Sequence, residues 1–268
     1  MPKGRYFIRE NVYICGAYMD TEIYPVFGLS GKRRGRCKPT SEIQEKINQR
    51  NAEKKLVRLV HTNFTEKDIA LHLTHREHVT AEEARRALQN YLRRVKRARK
   101  KRGLPALKYI SCTEFGGEGG RVHHHLIVNG GLSRDELEEL WGLGYANSKR
   151  LQFGEEGVAA LTHYMAKSHE FYKRWNASRN LIKPEPITRD GVIGRRETEE
   201  MVRAIDEKRA AVYFEERYPD FVFTDADFSE NLVNRGLYIT LEMRRVKAAD
   251  SRRKREEGPC FDSGRGRT

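Results

Sequence analysis

Leu107-Lys-Tyr-Ile-Ser-Cys-Thr-Glu-Phe115, the turn Gly-Gly-Glu-Gly-Gly at 116–120 and Arg121-Val-His-His-His-Leu-Ile-Val128 read as strand, turn and strand. Side chains alternate between the faces of a strand, so His123 and His125 share one face while Val122, His124, Leu126 and Val128 share the other. If the turn is centred between Glu118 and Gly119, Glu114 falls opposite His123, on its face and within cross-strand reach. Two imidazoles and a carboxylate then converge. Three ligands with open positions describe a catalytic divalent site, and the carboxylate leaves room for a hard ion, Mg²⁺ or Mn²⁺, with zinc an alternative. Glu118, in the turn itself, competes with Glu114 for the third place.

Outward from this pair the pattern keeps alternating between strand and helix. Leu56–Phe64 and Asp68–Thr74 read as paired strands, with His72 and Thr74 on the candidate face of the second. Thr80 and Glu83 form a capping box that opens a helix, and Ala84, Leu88, Tyr91, Leu92 and Val95 make its apolar stripe. Ser133 and Glu136 form a second box, stapled by Leu132 and Leu137, for a helix running through Trp141. A strand over Ala146–Phe153 follows, then a third helix from about Glu155 to Arg174. This order predicts an α+β fold: an antiparallel sheet of the split βαβ, ferredoxin-like or RRM-like kind, with helices on one face.

The third helix carries two stripes. Val158, Leu161, Thr162, Met165, His169 and Tyr172 fall on one arc, the expected packed face. Tyr164, Lys167 and Phe171 recur on a different flank, so Tyr164 is not needed for the core, and Lys167 lies one turn away. That spacing suits a phenol nucleophile with a lysine to hold a phosphate oxygen or lower the phenol pKa. Tyr172 is a weaker candidate because it lies on the apolar stripe, and His163 and His169 are expected to pack or face solvent.

The chain of 268 residues has 52 Lys and Arg against 38 Asp and Glu, a net charge of +14. Such an excess favours a polyanionic partner, nucleic acid first. The densest run is Arg93–Arg102, in which Arg93, Arg94, Lys96, Arg97, Lys100 and Lys101 are expected to track phosphates, with Thr74 a further DNA contact. A second run, from Arg244 to Arg255, reads as a basic tail that is disordered beyond about Ala248. Cys15, Cys37, Cys112 and Cys260 have no CxxC spacing and follow no secretory leader, so reduced thiols in a cytoplasmic protein are expected. No apolar stretch approaches a membrane span, and no G-x-x-x-x-G-K-[ST] is present to drive a helicase.

Composition suggests three parts. Residues 1–55 hold a short hairpin around Tyr6-Phe7-Ile8 and Val12-Tyr13-Ile14, a mobile basic loop over Gly28–Gly35, and a helix from Thr40 to about Lys55. Residues 56–180 form the main domain. Residues 181–268 form an accessory region with a charged helix near 196–217 and short apolar runs at Phe221–Phe223 and Leu237–Ile239.

Asp68–Thr74, Glu114, His123–Val128 and Tyr164–Lys167 together resemble the HUH endonucleases, and within them the single-tyrosine rolling-circle replication initiators of plasmids and phages, including the filamentous-phage type. The resemblance implies nicking of single-stranded or extruded origin DNA, a 5′-phosphotyrosine link, a free 3′-hydroxyl primer, and a host helicase and polymerase as partners. One departure is His124, where that family carries a bulky apolar residue. Two other readings stand beside it: a non-catalytic RNA-binding platform on the same sheet, and a transposase or relaxase using the same chemistry. The platform would want exposed aromatics where this chain has histidine and glutamate.

Overall fold

The computed structural model describes residues 6–28, 42–115, 121–154, 158, 161–162, 165, 174–230 and 236–246. In chain order its elements are β1 Tyr6–Cys15, β2 Tyr18–Phe27, α1 Glu42–Asn63, β3 Ile69–Thr74, α2 Ala81–Lys101, β4 Tyr109–Phe115, β5 Val122–Val128, α3 Arg134–Glu139, β6 Ala146–Arg150, β7 Asn176–Ala177, β8 Ile187–Asp190, α4 Arg195–Asp206, α5 Ala210–Arg217, β9 Phe221–Glu230 and β10 Leu237–Arg245. The fold is α+β, with two antiparallel five-stranded sheets ordered β8-β1-β2-β10-β9 and β6-β3-β5-β4-β7. They belong to two compact units, one of residues 1–12, 17–28 and 187–268, the other of residues 13–16 and 29–186.

The second unit holds the candidate site, and its helices start where the sequence places them. Thr80 and Ser133 cap α2 and α3, each accepting from the amide three residues on while Glu83 and Glu136 reach back. Leu88, Tyr91, Leu92 and Val95 of α2, with Leu137 and Trp141 beyond, bury against Ile69, Leu71, Leu73, Leu126 and Val128 on one sheet face. Leu132 and Leu137 are both buried, as a staple requires.

The opposite face is shared between packing and chemistry. Leu56, Val60 and Phe64 pack with Ile110, Cys112 and Ile127 at one end of it, joined by Leu151, Val158 and Met165. Leu56–Phe64, expected as a strand, is therefore the last two turns of α1 and the residue that follows it. Leu56, Val60 and Phe64 recur at four-residue spacing, which a helix turns to one side, whereas Leu56, Val57, Leu59 and Val60, interrupted only by Arg58, imitate a buried strand. Arg58 is buried too, its guanidinium 3.7 Å from the centroid of the Tyr13 ring. The β1–β2 turn is fixed by Gly16 at φ 62°, where a Cβ would sit 2.7 Å from the His61 carbonyl oxygen.

The other unit is built from both ends of the chain. β10 pairs with β2, β9 with β10, and β8 with β1. Its core gathers Ile8, Met19, Ile23, Met201, Phe214, Ile239, Leu241 and Met243. The charged helix expected near 196–217 is two helices, broken where Lys208 takes φ 58°. The strands after it run to Glu230 and Arg245, well past the short apolar runs that announce them.

Candidate metal centre

β5 lies between β3 and β4, so its histidines are flanked from both sides. The register sets Glu114 opposite His123 and Cys112 opposite His125 on β4, and Thr74 opposite His123 and His72 opposite His125 on β3. The pairing of Glu114 with His123 is the one the turn at 116–120 implies. Glu114, His123, His125, His72 and Thr74 thus share one face at one end of the sheet.

Within this group the rings are stacked. His72 lies nearly parallel to His125, with centroids 4.6 Å apart and an interplanar angle of 10°, and its Nε2 is 3.1 Å from His123 Nδ1. Thr74 Oγ1 stands 3.2 Å from the same Nδ1. Thr74, expected to touch DNA, is placed to orient an imidazole instead, which leaves His123 Nε2 as the nitrogen to offer an ion. His125 Nε2 is 3.6 Å from Glu114 Oε2.

Burial decides the protonation of His125 and His72. Desolvation, and then the neighbouring His72, push the His125 pKa down to about 4. The His72 pKa is lowered as well, by burial first and then by His123. A neutral imidazole keeps the lone pair that a metal needs, so at neutral pH no proton has to leave His125 before an ion can bind. Among the described residues no three His, Cys, Asp or Glu side chains already stand close enough to hold an ion. The donor set nevertheless fits one chemically: two imidazoles and a carboxylate on one face, with the Glu114 side chain 35% exposed and able to turn. His72 is the neighbour that supports them.

His124 stands apart from this group. It is fully buried on the opposite face, its Nδ1 2.9 Å from Thr113 Oγ1 and its Nε2 3.0 Å from His75 Nε2. Trp141 closes on its edge at 5.6 Å and donates its indole N–H to the Thr74 carbonyl at 3.0 Å. Burial and the adjacent His75 hold the His124 pKa down at about 3. It serves as a hydrogen-bonded core residue.

The remaining expected residues divide. Tyr164, Lys167, Glu118, His163, His169 and Tyr172 lie outside the described residues. Val158, Thr162 and Met165, from the arc expected to pack, are buried, and Val158 and Met165 join the cluster containing Cys112, the cross-strand partner of His125. The basic run sits on α2, across the sheet from the imidazoles, and is not uniform. Arg94 donates to the Leu140 and Trp141 carbonyls at 2.8 and 3.1 Å, so it ties α2 to the end of α3. Arg99 is 2% exposed and donates to the carbonyls of Pro105, Asn129 and Gly130. Arg102 pairs with Glu136. Arg93, Lys96, Arg97, Lys100 and Lys101 are exposed.

Comparison with known proteins adds one match. Residues 68–169 match the family model described as replication-associated protein ORF2/G2P, a span that includes β3, β5 and the imidazole face and supports a rolling-circle Rep-type initiator. No curated protein and no solved structure matches the chain. No helix among the described residues is long and apolar enough to cross a membrane.

Proposed function

We propose, from the likeness of this span to replication-associated proteins, that the chain is a rolling-circle initiator that nicks origin DNA with Tyr164 as nucleophile beside a divalent ion, Mg²⁺ or Mn²⁺, held by His123, His125 and Glu114. The observation that carries this reading is the common face of those three ligands, two of them imidazoles on one strand, inside the matched residues 68–169. When bound, the ion would polarise the scissile phosphate and offset its developing charge.

The protein groups supply the rest. The Tyr164 phenol gives up its proton as its oxygen attacks the phosphorus in line, the P–O3′ bond breaks, and the departing oxygen takes up a proton to become a 3′-hydroxyl. The 5′ phosphate stays on the tyrosine as an ester, which preserves the bond energy for rejoining. Lys167, three residues after Tyr164 in the sequence, holds a phosphate oxygen. Thr74 and His72 fix the His123 ring through Nδ1, which leaves Nε2 for the ion. The 3′-hydroxyl then primes a host polymerase, with a host helicase opening the duplex and the cytoplasm as the setting.

The RNA-platform reading has no exposed aromatic on the central strands of this face to support it, since those positions carry His72, Thr74, His123 and His125. The test is a denaturing gel of a 3′-labelled single-stranded origin oligonucleotide incubated with protein and Mn²⁺. A covalent band is expected with the wild type and none with Tyr164→Phe. A covalent band of full intensity with Tyr164→Phe would remove the nucleophile assignment.

A further inference from the structure

We infer that the groove between the C-terminal half of α2 and the segment after β7 holds single-stranded nucleic acid by its phosphates, a second anchor apart from the imidazole face. The groove encloses about 800 Å³ and is lined by Lys96, Arg99 and Lys100 on one side, Tyr109 and its preceding loop at the base, and Ser178 and Arg179 on the other. That size matches ligand-binding clefts and exceeds what one small anion fills.

Among the described residues four cationic side chains line this groove, and no carboxylate does. Lys96 and Lys100 are four residues apart, so they rise from one flank of α2. Arg99 lies between them, 2% exposed, with Nε and Nη1 occupied by loop carbonyls and, among the described residues, no hydrogen-bond partner at Nη2. A buried positive charge with a donor left over raises the potential in the groove beside it. The far wall is pinned: the Tyr109 amide donates to Ser178 Oγ at 3.0 Å, the Ser178 amide donates back to the Tyr109 carbonyl at 2.9 Å, and Asn180 Nδ2 donates to the Leu107 carbonyl at 3.3 Å. A fixed wall carrying the exposed Arg179 costs little ordering when a ligand arrives.

Basic walls around an aromatic base are what unpaired nucleic acid selects, because phosphates follow the cations and a base can lie on the ring. Tyr109 and Glu114 stand five residues apart on β4, about 17 Å at the usual strand rise, and on opposite sheet faces. One strand rounding the sheet edge could therefore be gripped in the groove while its scissile phosphate meets the imidazoles. That second clause rests on the nicking reading; the groove's own affinity does not.

The experiment is fluorescence anisotropy with a single-stranded oligodeoxynucleotide, without metal, at salt from 50 to 200 mM. The variants are Lys96→Gln/Lys100→Gln/Arg179→Gln and a control of equal charge loss on other exposed lysines, Lys67→Gln/Lys149→Gln/Lys183→Gln. Circular dichroism confirms that both stay folded. Losing three phosphate contacts on single-stranded DNA should lower the slope of log affinity against log salt by about 2, so the affinity lost across that salt range shrinks roughly 20-fold. The control should keep the wild-type slope. An equal slope change in both variants, or none in the groove variant, overturns the groove as a site. A slope change seen only with a duplex of the same sequence overturns the single-stranded occupant. Because no cleavage is measured, failure of the nicking reading leaves this result standing and is read separately from the gel.

Discussion

Lowering the pH from 7.5 to 5 should cost the second unit most of its stability, because three of its histidines are held neutral by burial. His61, His124 and His125 have pKa values pushed down to about 4, about 3 and about 4, desolvation being the largest cause in each. His61 is 9% exposed and His124 fully buried, and the His125 side chain is 13% exposed. Above pH 6.5 these rings are neutral whether the chain is folded or not, and stability is at its full value. As pH falls below 6.5 the unfolded chain takes up protons that the folded chain refuses, so stability is lost until the folded rings also protonate, near pH 4 and, for His124, near 3. One pKa unit corresponds to about 1.4 kcal/mol, so at pH 5 each ring contributes a loss of about 2 kcal/mol, or about 6 together. That rivals the whole stability of an ordinary domain. The assay is urea unfolding followed by tryptophan emission, since Trp141 and Trp175 both lie in this unit. EDTA is needed because a bound ion would itself keep His125 neutral. His61→Gln, which keeps an acceptor for the Val158 amide, should remove about a third of the pH slope. A loss under about 2 kcal/mol across the window, or an unchanged slope in His61→Gln, would refute the assignment.

Other outcomes follow from the same geometry. His123→Ala and His125→Ala should each abolish Mn²⁺-dependent nicking while leaving oligonucleotide affinity within about twofold; loss of affinity with intact cleavage would favour a binding module. Thr74→Val should weaken metal dependence by about 10-fold or more, seen as a raised Mn²⁺ concentration for half-maximal cleavage, if its hydroxyl fixes the His123 ring. Arg94→Ala should lower unfolding free energy by about 1.5–3 kcal/mol, through its lost bonds to the Leu140 and Trp141 carbonyls, with the salt slope for DNA unchanged. A changed slope with normal stability would return Arg94 to the phosphate-binding set.

Much of the second unit was legible because its signals are local. Both capping boxes form, and the α2 stripe buries as read. The register of Glu114 on His123 follows from the strand–turn–strand stretch alone. What misled was ambiguity of period: Leu56, Val57, Leu59 and Val60 satisfy a strand and a helix equally, and only the sheet face that α1 covers decides between them. The first unit was barely legible. Its sheet joins β2 to β10 and β1 to β8 across most of the chain, and β8 is wholly exposed with no alternation to mark it. The basic run shows a further limit. Composition sees eight basic residues in a run of ten, whereas the partners of Arg94, Arg99 and Arg102 separate these clasps from the exposed cations.

The triple histidine joins these two kinds of information. Alternation assigns His123 and His125 to one face and His124 to the other, but it cannot say why an imidazole replaces an apolar residue inside the core. The structure supplies the reason: Thr113 and His75 take both nitrogens of His124, and the Trp141 edge seals the pair, so the ring is a satisfied polar group and not an orphan. Trp141 also donates to the Thr74 carbonyl, and Thr74 presents its hydroxyl to His123 on the far side. A buried network on the packed face therefore bears on the strand that orients the candidate ligand. On this argument His124→Leu, which puts an apolar side chain at that buried position, should keep the fold yet leave His75 short of a partner. It should also loosen the Thr74–His123 contact, showing as weaker Mn²⁺ dependence without loss of DNA affinity. Unaltered metal dependence in a folded His124→Leu protein would confine that network to packing.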